Sequence, residues 1–264
     1  MTEHELFRKT FSTLHASPDT LMEVQKAMEN NKKTHRTLRR GVVIAIAAML
    51  IDHIGGAFFP EVGVFRWIGR LAFPIFCYCL MVGLLYTHDV RKYLTRLGIF
   101  ALVSQPFYIL AFHPVSEFTA NLTNWNIFFT LFLSLLGMYG LKERKWWLFA
   151  LALFTVSWWN FDYSGTGITL MLIFYLCRQI PHGWIGEVAG LAFLNCKLLG
   201  GMTIPLTLGS WTLEFPEQGL ALLALIPIWL YNGRQGAHNK AIQYACYLFY
   251  PAHMLILALL RMYL

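Results

Sequence analysis

From residue 41 to the end of the chain, apolar residues form long blocks that alternate with short polar connections. The blocks are about 15–23 residues long, and a helix needs about 20 mainly apolar residues to cross a bilayer. The pattern therefore predicts an all-α, polytopic integral membrane protein with about nine transmembrane helices. The predicted spans are 41–59, 64–87, 94–113, 124–141, 146–160, 163–178, 184–200, 215–232 and 242–262.

The basic residues indicate how these spans are oriented. Lys and Arg concentrate in alternate connections, as they do in cytoplasmic loops, whereas the opposite connections carry mainly Asp and Glu. A cytoplasmic N-terminus followed by nine spans satisfies this rule at nearly every loop. The basic connections contain Arg91, Lys92 and Arg96, then Lys142, Arg144 and Lys145, then Arg178, then Arg234 and Lys240. The acidic connections contain Glu61, Glu117, Asp162, Glu214 and Glu217.

Residues 1–40 are polar and form a separate cytoplasmic extension ahead of the transmembrane domain, residues 41–264. Ser17, Pro18 and Asp19 are typical of a helix N-terminus, with Ser as the cap and Asp at the positive end of the helix dipole. The apolar residues that follow recur at helical spacing. We expect an amphipathic helix that ends in a basic run, which anchors the cytoplasmic side of the membrane or contacts anionic lipid headgroups.

The composition agrees with this class of protein, since 57% of the 264 residues are hydrophobic and only 13% are charged. The net charge of +7 is explained by the basic loops, so no nucleic-acid partner is expected. All five cysteines fall within or beside apolar stretches and are interpreted as ordinary buried residues, with no metal site expected. Sequence motifs for ATP-driven transport, serine hydrolysis and zinc chemistry are missing from the chain.

Four ionisable side chains interrupt the first two apolar blocks. Asp52 and His53 lie in the first block, and Arg66 and Arg70 follow four residues apart in the second. Each costs about 2.5–3.5 kcal/mol at the centre of a membrane helix, so such residues are rare without a function. Asp52 is expected near the bilayer midplane, within reach of Arg70. The group either forms an ion pair that orders the hairpin or carries out proton transfer or anion binding.

Histidine suits proton transfer because its ordinary pKa is close to neutral pH. We expect Asp52 to hold His53 in one tautomer, while the guanidinium groups stabilise an oxyanion or bind an anionic cosubstrate. His253, which follows a proline in the last span, is a second candidate acid or base. Asp162 is interpreted either as a helix N-cap or as a substrate contact. Other polar residues predict local structure: Pro106 is expected to break the third span, and Asn126 to hydrogen-bond a neighbouring helix.

Short motifs in this order resemble the TraX family of multi-pass bacterial membrane proteins. They are MLIDHIG at 49–55, RWIGRLAFPIF at 66–76, NIFFT at 126–130, FDYSG at 161–165, IWLYNG at 228–233 and YLFYPAH at 247–253. The resemblance covers the chain from about residue 40 to its end. It carries over five positions as candidate functional residues: Asp52, His53, Arg66, Arg70 and His253.

The resemblance implies an acyltransferase of the bacterial cytoplasmic membrane. TraX N-acetylates the pilin subunit in conjugation, and it is similar to a wider superfamily that carries acyl groups from cytoplasmic acyl-CoA across the bilayer. For this chain it implies acetyl-CoA or another acyl-CoA as cosubstrate and a peptide or glycan acceptor. We expect Arg91 and Lys92 to attract the phosphates of the donor. The alternatives are a proton-coupled transporter, in which such residues form a relay, and a non-catalytic membrane scaffold.

Overall fold

The computed structural model of the protein describes residues 41–87, 89–159, 161–198, 202–208, 211–230 and 240–263. The predicted N-terminal helix and its basic run lie outside the described residues, as does Arg234. The helices are α1 (Gly41–Phe58), α2 (Gly63–Gly69), α3 (Ala72–Tyr86), α4 (Val90–Phe112), α5 (Ile127–Lys142), α6 (Trp146–Trp158), α7 (Thr166–Cys177), α8 (Gly183–Phe193), α9 (Leu225–Trp229) and α10 (Lys240–Tyr263). Two strands, β1 (Thr203–Leu208) and β2 (Trp211–Pro216), lie between α8 and α9.

Four of the described helical segments are long and apolar enough to cross a membrane. They are α1, the combined segment Gly63–Tyr86, α4 and residues Tyr244–Tyr263 of α10. They confirm the first, second, third and ninth predicted spans as apolar helices. The fourth, fifth and sixth correspond to α5, α6 and α7, which have 16, 13 and 12 residues. The count of nine crossings and the cytoplasmic N-terminus therefore stay predictions.

The region of the predicted seventh and eighth spans has a different structure, so the all-α prediction is wrong there. Helix α8 has only 11 residues and runs into a π-helical turn, Leu194–Leu198. The antiparallel hairpin of β1 and β2 follows, and then a 3-10 helix, Glu217–Ala224, that leads into α9. The sequences TIPLTL and WTLEFP are rich in β-branched and aromatic residues, which favour strands over helices.

Two prolines differ in their effect on the helices, since one coincides with a break and the other does not. Pro74 has no N–H to bond the carbonyl of Arg70, and its ring crowds that carbonyl, so α2 and α3 separate at Arg70 and Leu71. Pro106 lies inside α4, which nevertheless continues to Phe112, so the predicted break of the third span is wrong. Membrane helices tolerate such prolines where neighbouring groups satisfy the freed backbone.

Contacts between helix ends show how the bundle is arranged. Lys142 at the end of α5 donates to the carbonyl of Leu84, and Arg178 after α7 donates to the hydroxyl of Tyr86. The ends of α3, α5 and α7 therefore meet at one end of the bundle, which we call the basic end. Helices α4 and α10 run in the same direction, since the Phe100 and Tyr247 rings stack and Arg261 donates to the carbonyl of Ala111.

The apolar core lies between α3, α5 and α7, where large side chains such as Met81, Leu135 and Phe174 are fully buried. Helix α6 packs on α5 with one face, while its end tryptophans Trp146 and Trp158 are 65% and 72% exposed. Exposed tryptophans at both ends of a short apolar helix are typical of membrane interfaces. The core thus fixes the helices from which the candidate site is built.

Candidate functional site

Asp52 and His53 are adjacent on α1 but face different neighbours, because consecutive residues of an α-helix are about 100° apart. Asp52 faces α2, where Nη1 of Arg66 donates to its two carboxylate oxygens over 3.2 and 3.3 Å. Gly69 allows this approach, since a Cβ at that position would overlap the Asp52 carboxyl group. An ion pair thus connects the first two membrane segments.

His53 faces α10 instead, where its partner is a second histidine. Nδ1 of His53 lies 2.8 Å from Nε2 of His253, although 200 residues separate the two in sequence. The two rings are almost parallel, with 3° between their planes. Phe112 and Tyr250 contact the His53 ring edge to face, and His253 is only 5% exposed. The histidine pair is therefore enclosed largely by aromatic side chains.

The hydrogen bonds of the pair assign its protons. Nδ1 of His253 lies 2.8 Å from the carbonyl oxygen of Phe249, which only accepts hydrogen bonds, so this nitrogen carries a proton and donates. In neutral His253, Nε2 is then the acceptor, and Nδ1 of His53 must donate to it. Nε2 of His53 is left without a proton. A chain of two hydrogen bonds thus presents one imidazole nitrogen as a base.

Arg70 lies at the break between α2 and α3 and pairs with a carboxylate from a distant part of the chain. Its Nη2 and Nε donate to Oε1 of Glu217 over 2.7 and 3.0 Å. The Glu217 side chain is 5% exposed and that of Arg70 is 17% exposed, so the pair is well shielded from solvent. Nη1 of Arg70 is also 3.5 Å from the hydroxyl of Tyr163.

These contacts correct two expectations about the charged residues. Asp52 pairs with Arg66 rather than with Arg70, and His53 is held by His253 rather than by Asp52. The charge pattern places Glu217 in an outer loop and does not identify it as a site residue. The available signal was an acidic residue at the start of an apolar stretch, directly after a proline.

A small polar cavity lies against His53 and Asp52. Its volume is about 50 Å³, and the other side chains that line it include Asp162, Tyr163 and Phe73. A water molecule occupies roughly 30 Å³ in the liquid, so the cavity has room for little more than a water or the end of a substrate. Acidic, imidazole and phenol groups from two separate parts of the chain therefore meet around one small cavity.

Asp162 belongs to this cavity and not to a helix cap. The N-cap of α7 is Gly165, with no side-chain hydrogen bond, so the N-cap interpretation of Asp162 is wrong. Asp162 lies in the connection between α6 and α7, and Thr130 donates to its backbone carbonyl. Burial, with a smaller effect of the Asp52 charge, raises the pKa of Asp162 to about 6. The group is therefore half-ionised near pH 6, within reach of neutral pH.

A larger groove lies on the other side of the histidine pair, between α1 and α10. Its volume is about 710 Å³, and His253 is the single polar side chain among the described residues that line it. His53 lines the polar cavity and His253 lines this groove. The two imidazoles therefore form the boundary between a polar and an apolar compartment.

Arg91 and Lys92 do not join this cluster. They lie in the first turn of α4, and Phe112, which contacts His53, is at its other end, about 31 Å away at 1.5 Å per residue. Lys92 forms an exposed pair with Asp89 over 2.9 Å. Asp89 caps α4, and the hydrogen bond from the backbone N–H of Lys92 lowers the pKa of its carboxyl group.

Other polar residues have the structural roles expected of them. Asn126 caps α5, and its side chain donates to Gln105 and to the carbonyl of Ala101 on α4, which confirms the predicted bond between helices. All five cysteines are free thiols.

Comparison with known proteins identifies the family. The family model described as TraX protein matches residues 42–261. A probable fimbrial assembly protein FimC, serogroup H1, of Dichelobacter nodosus is 30% identical over 233 residues, which cover 84% of this chain and 94% of that protein. The uncharacterized protein RP591 of Rickettsia prowazekii (strain Madrid E) is 27% identical over 158 residues, or 56% of this chain and 58% of that protein. No solved structure matches significantly. The chain is a membrane protein that belongs to the TraX family.

Proposed function

We propose that this protein is a membrane-embedded acyltransferase that moves an acyl group from acyl-CoA to an amine or hydroxyl acceptor. The observation that carries the proposal is the hydrogen-bonded pair of His53 and His253, which leaves one imidazole nitrogen unprotonated beside a polar cavity. The family supports it, since the TraX resemblance implies pilin acetylation. The name of the relative from Dichelobacter nodosus refers to fimbrial assembly, which makes a pilin-like peptide one candidate acceptor.

His53 acts as the general base in this mechanism. Its Nε2 takes the proton of the acceptor N–H or O–H as the acceptor atom forms a bond to the thioester carbonyl carbon. The tetrahedral intermediate collapses, the C–S bond breaks, and the imidazolium returns the proton to the departing CoA thiolate. His253 is the positioning residue, because its Nε2 accepts from His53 and its Nδ1 donates to Phe249.

Arg66 is suited to stabilise the oxyanion of that intermediate. A guanidinium has five N–H donors, and the contacts with Asp52 use Nη1. Arg70 is tied to Glu217 and Tyr163, and in the proposal it fixes the wall of the cavity. Arg91 and Lys92 are too distant to contact the thioester, so their part is limited to attracting CoA phosphates at the basic end.

The polar cavity is assigned to the acceptor. Its volume of about 50 Å³ fits an amine or hydroxyl end but not a cofactor, since sites for such ligands measure about 300–1,000 Å³. Asp162 and Tyr163 both lie in the connection between α6 and α7, at the bundle end opposite the basic end. The acceptor and the donor phosphates thus approach from opposite ends.

Acyl transfer in membrane vesicles tests the proposal. Vesicles from cells that make the protein receive radiolabelled acetyl-CoA, and covalent label is followed in the protein and glycan fractions. Wild-type protein transfers label, and His53→Ala lowers the rate about 100-fold or more. His113→Ala, which alters a histidine at the end of α4, leaves the rate unchanged.

His253 variants separate positioning from structure. His253→Gln keeps an acceptor oxygen near the position of Nε2 and retains part of the activity, whereas His253→Phe keeps the ring and loses the activity. Full turnover by His53→Ala removes this residue from the mechanism. Solute or proton flux without covalent label assigns the cluster to the transporter instead.

A further inference from the structure

The groove between α1 and α10 has a regular apolar lining. Leu50, Ile54 and Phe58 recur every four residues on α1, so they share one face of the helix. On α10, Ile256 and Leu260 lie on the same face as His253. Both walls are helices that are long and apolar enough to cross a membrane, so the groove opens toward hydrocarbon rather than water.

We propose that this groove holds the acyl chain of the donor, so that the transferred group is a medium-length fatty acyl chain rather than acetyl. The assignment of the chain to a donor rests on the proposed acyl transfer. The thioester carbonyl lies at the histidine pair, and the chain extends along α1 and α10 away from the basic end. The acceptor occupies the polar cavity on the other side of His53.

The dimensions of the groove indicate the length of the chain. From the histidine pair to the far end of the groove, His53 and Phe58 are five residues apart, or about 8 Å along α1. His253 and Leu260 are seven residues apart, or about 10 Å along α10. A C–C bond of about 1.5 Å at a near-tetrahedral angle advances an extended chain by about 1.25 Å, so this length fits roughly six to eight carbons.

The shape of the groove favours an acyl chain over a helix from a partner protein. The whole groove runs from Phe249 to Leu260, or about 16 Å along α10, and its volume of about 710 Å³ over this length gives a mean cross-section of about 45 Å². A helix with side chains is about 10 Å across, which corresponds to about 80 Å². An acyl chain is narrower than either, so the groove accommodates the chain but not the helix.

The position of His253 makes this groove more than an exposed apolar surface. Its imidazole lines the groove, and its Nε2 receives the hydrogen bond from His53, which lines the polar cavity. A carbonyl at the end of a chain in the groove therefore reaches the boundary where the acceptor nitrogen or oxygen arrives. The donor carbonyl and the acceptor atom can therefore meet at the histidine pair with the groove and the polar cavity in their present positions.

Chain-length selectivity tests the proposal. Reconstituted protein receives acetyl-, octanoyl-, decanoyl- and palmitoyl-CoA with the same acceptor membranes, and release of free CoA thiol gives kcat/KM for each donor. We expect octanoyl-CoA to exceed acetyl-CoA at least tenfold. Ile256→Trp fills the groove and shifts the preference to shorter chains. Leu259→Trp adds the same bulk on an exposed face of α10 outside the groove and leaves the preference unchanged.

A binding measurement keeps this inference separate from the proposed function. Octanoyl-CoA with a diazirine at the chain end is photo-crosslinked to the protein, and the labelled peptides are identified by mass spectrometry. The groove is supported as the binding site of the acyl chain if the label is confined to residues 50–58 and 249–260 and Ile256→Trp reduces it at least fivefold. This result counts even where no acyl transfer occurs. Equal rates for all donors, or label spread over other exposed helices such as α6, overturns it. Acetyl transfer without chain selectivity leaves only the proposed function standing.

Discussion

The buried pair of Arg70 and Glu217 gives a quantitative test of the fold around the site. Glu217→Leu removes the carboxylate and leaves the Arg70 guanidinium without the partner that accepts its bonds over 2.7 and 3.0 Å. Removing one member of a buried pair costs about 3–5 kcal/mol, because the remaining charge stays desolvated. A cost of 1 kcal/mol lowers Tm by about 2–4 °C in a chain of 150–250 residues, so Tm is expected to fall by roughly 10 °C.

The double variant isolates the pair. Arg70→Met combined with Glu217→Leu replaces both charges by apolar groups, and such replacements are often neutral or stabilising. Thermal unfolding in detergent, followed by tryptophan fluorescence, is measured for the wild type, each single variant and the double variant. We expect the double variant to recover most of the stability that either single variant loses.

An exposed pair serves as the matched control. Lys92 and Asp89 approach to 2.9 Å, but their side chains are 78% and 46% exposed. Lys92→Ala is therefore expected to leave Tm unchanged within error. A Glu217→Leu variant as stable as Lys92→Ala, or a double variant no more stable than the singles, would refute the reasoning that the pair is buried and coupled.

Two further predictions concern the cavity. Gly69→Ala places a methyl group against the Asp52 carboxyl and is expected to cost about 1–3 kcal/mol of stability. The control is Gly98→Ala, whose Cβ meets only the ring of Phe132 at 3.4 Å and which leaves Tm nearly unchanged. Equal Tm values for the two variants contradict the close packing at Gly69. Because the pKa of Asp162 rises to about 6 on folding, its neutral form is favoured, and the associated stability is complete below about pH 4 and lost as pH rises through 6. The gain in Tm of Asp162→Asn over the wild type should therefore be larger at pH 8 than at pH 5. A gain in Tm that is the same at both pH values rules out burial of the ionised carboxylate.

The long helices were predictable because apolar length is a strong signal. Predicted spans 41–59, 94–113 and 242–262 agree with α1, α4 and α10 to within a few residues. The hairpin of β1 and β2 was missed because hydropathy alone does not separate a helix from strands of similar composition. The alternation of polar and apolar residues in TIPLTL has a period of two, and it would have favoured a strand.

The candidate site was predictable as a set of residues but not as a set of contacts. Ionisable groups within apolar blocks identified Asp52, His53, Arg66 and Arg70, because burial of such groups is costly without a purpose. Their partners depended on the helix break that Pro74 causes at Arg70, which directs Arg66 and Arg70 to different carboxylates. Glu217 lies 147 residues from Arg70, and no local pattern relates two residues at that separation.

The charges of the site explain how so many ionisable side chains fit into one small region of the protein. Arg66 and Arg70 each have a carboxylate partner, so both pairs are neutral, and the shielded pair of Arg70 and Glu217 cannot lose a member without leaving a desolvated charge. The imidazole of His53 and the carboxyl group of Asp162 are the lining groups that can change protonation without breaking a pair. A proton taken up by His53 puts a positive charge beside a carboxyl group with a pKa of about 6, and the ionised form of that group balances this charge. The cavity can therefore hold a proton during a reaction without a net buried charge, which a general base within a membrane requires.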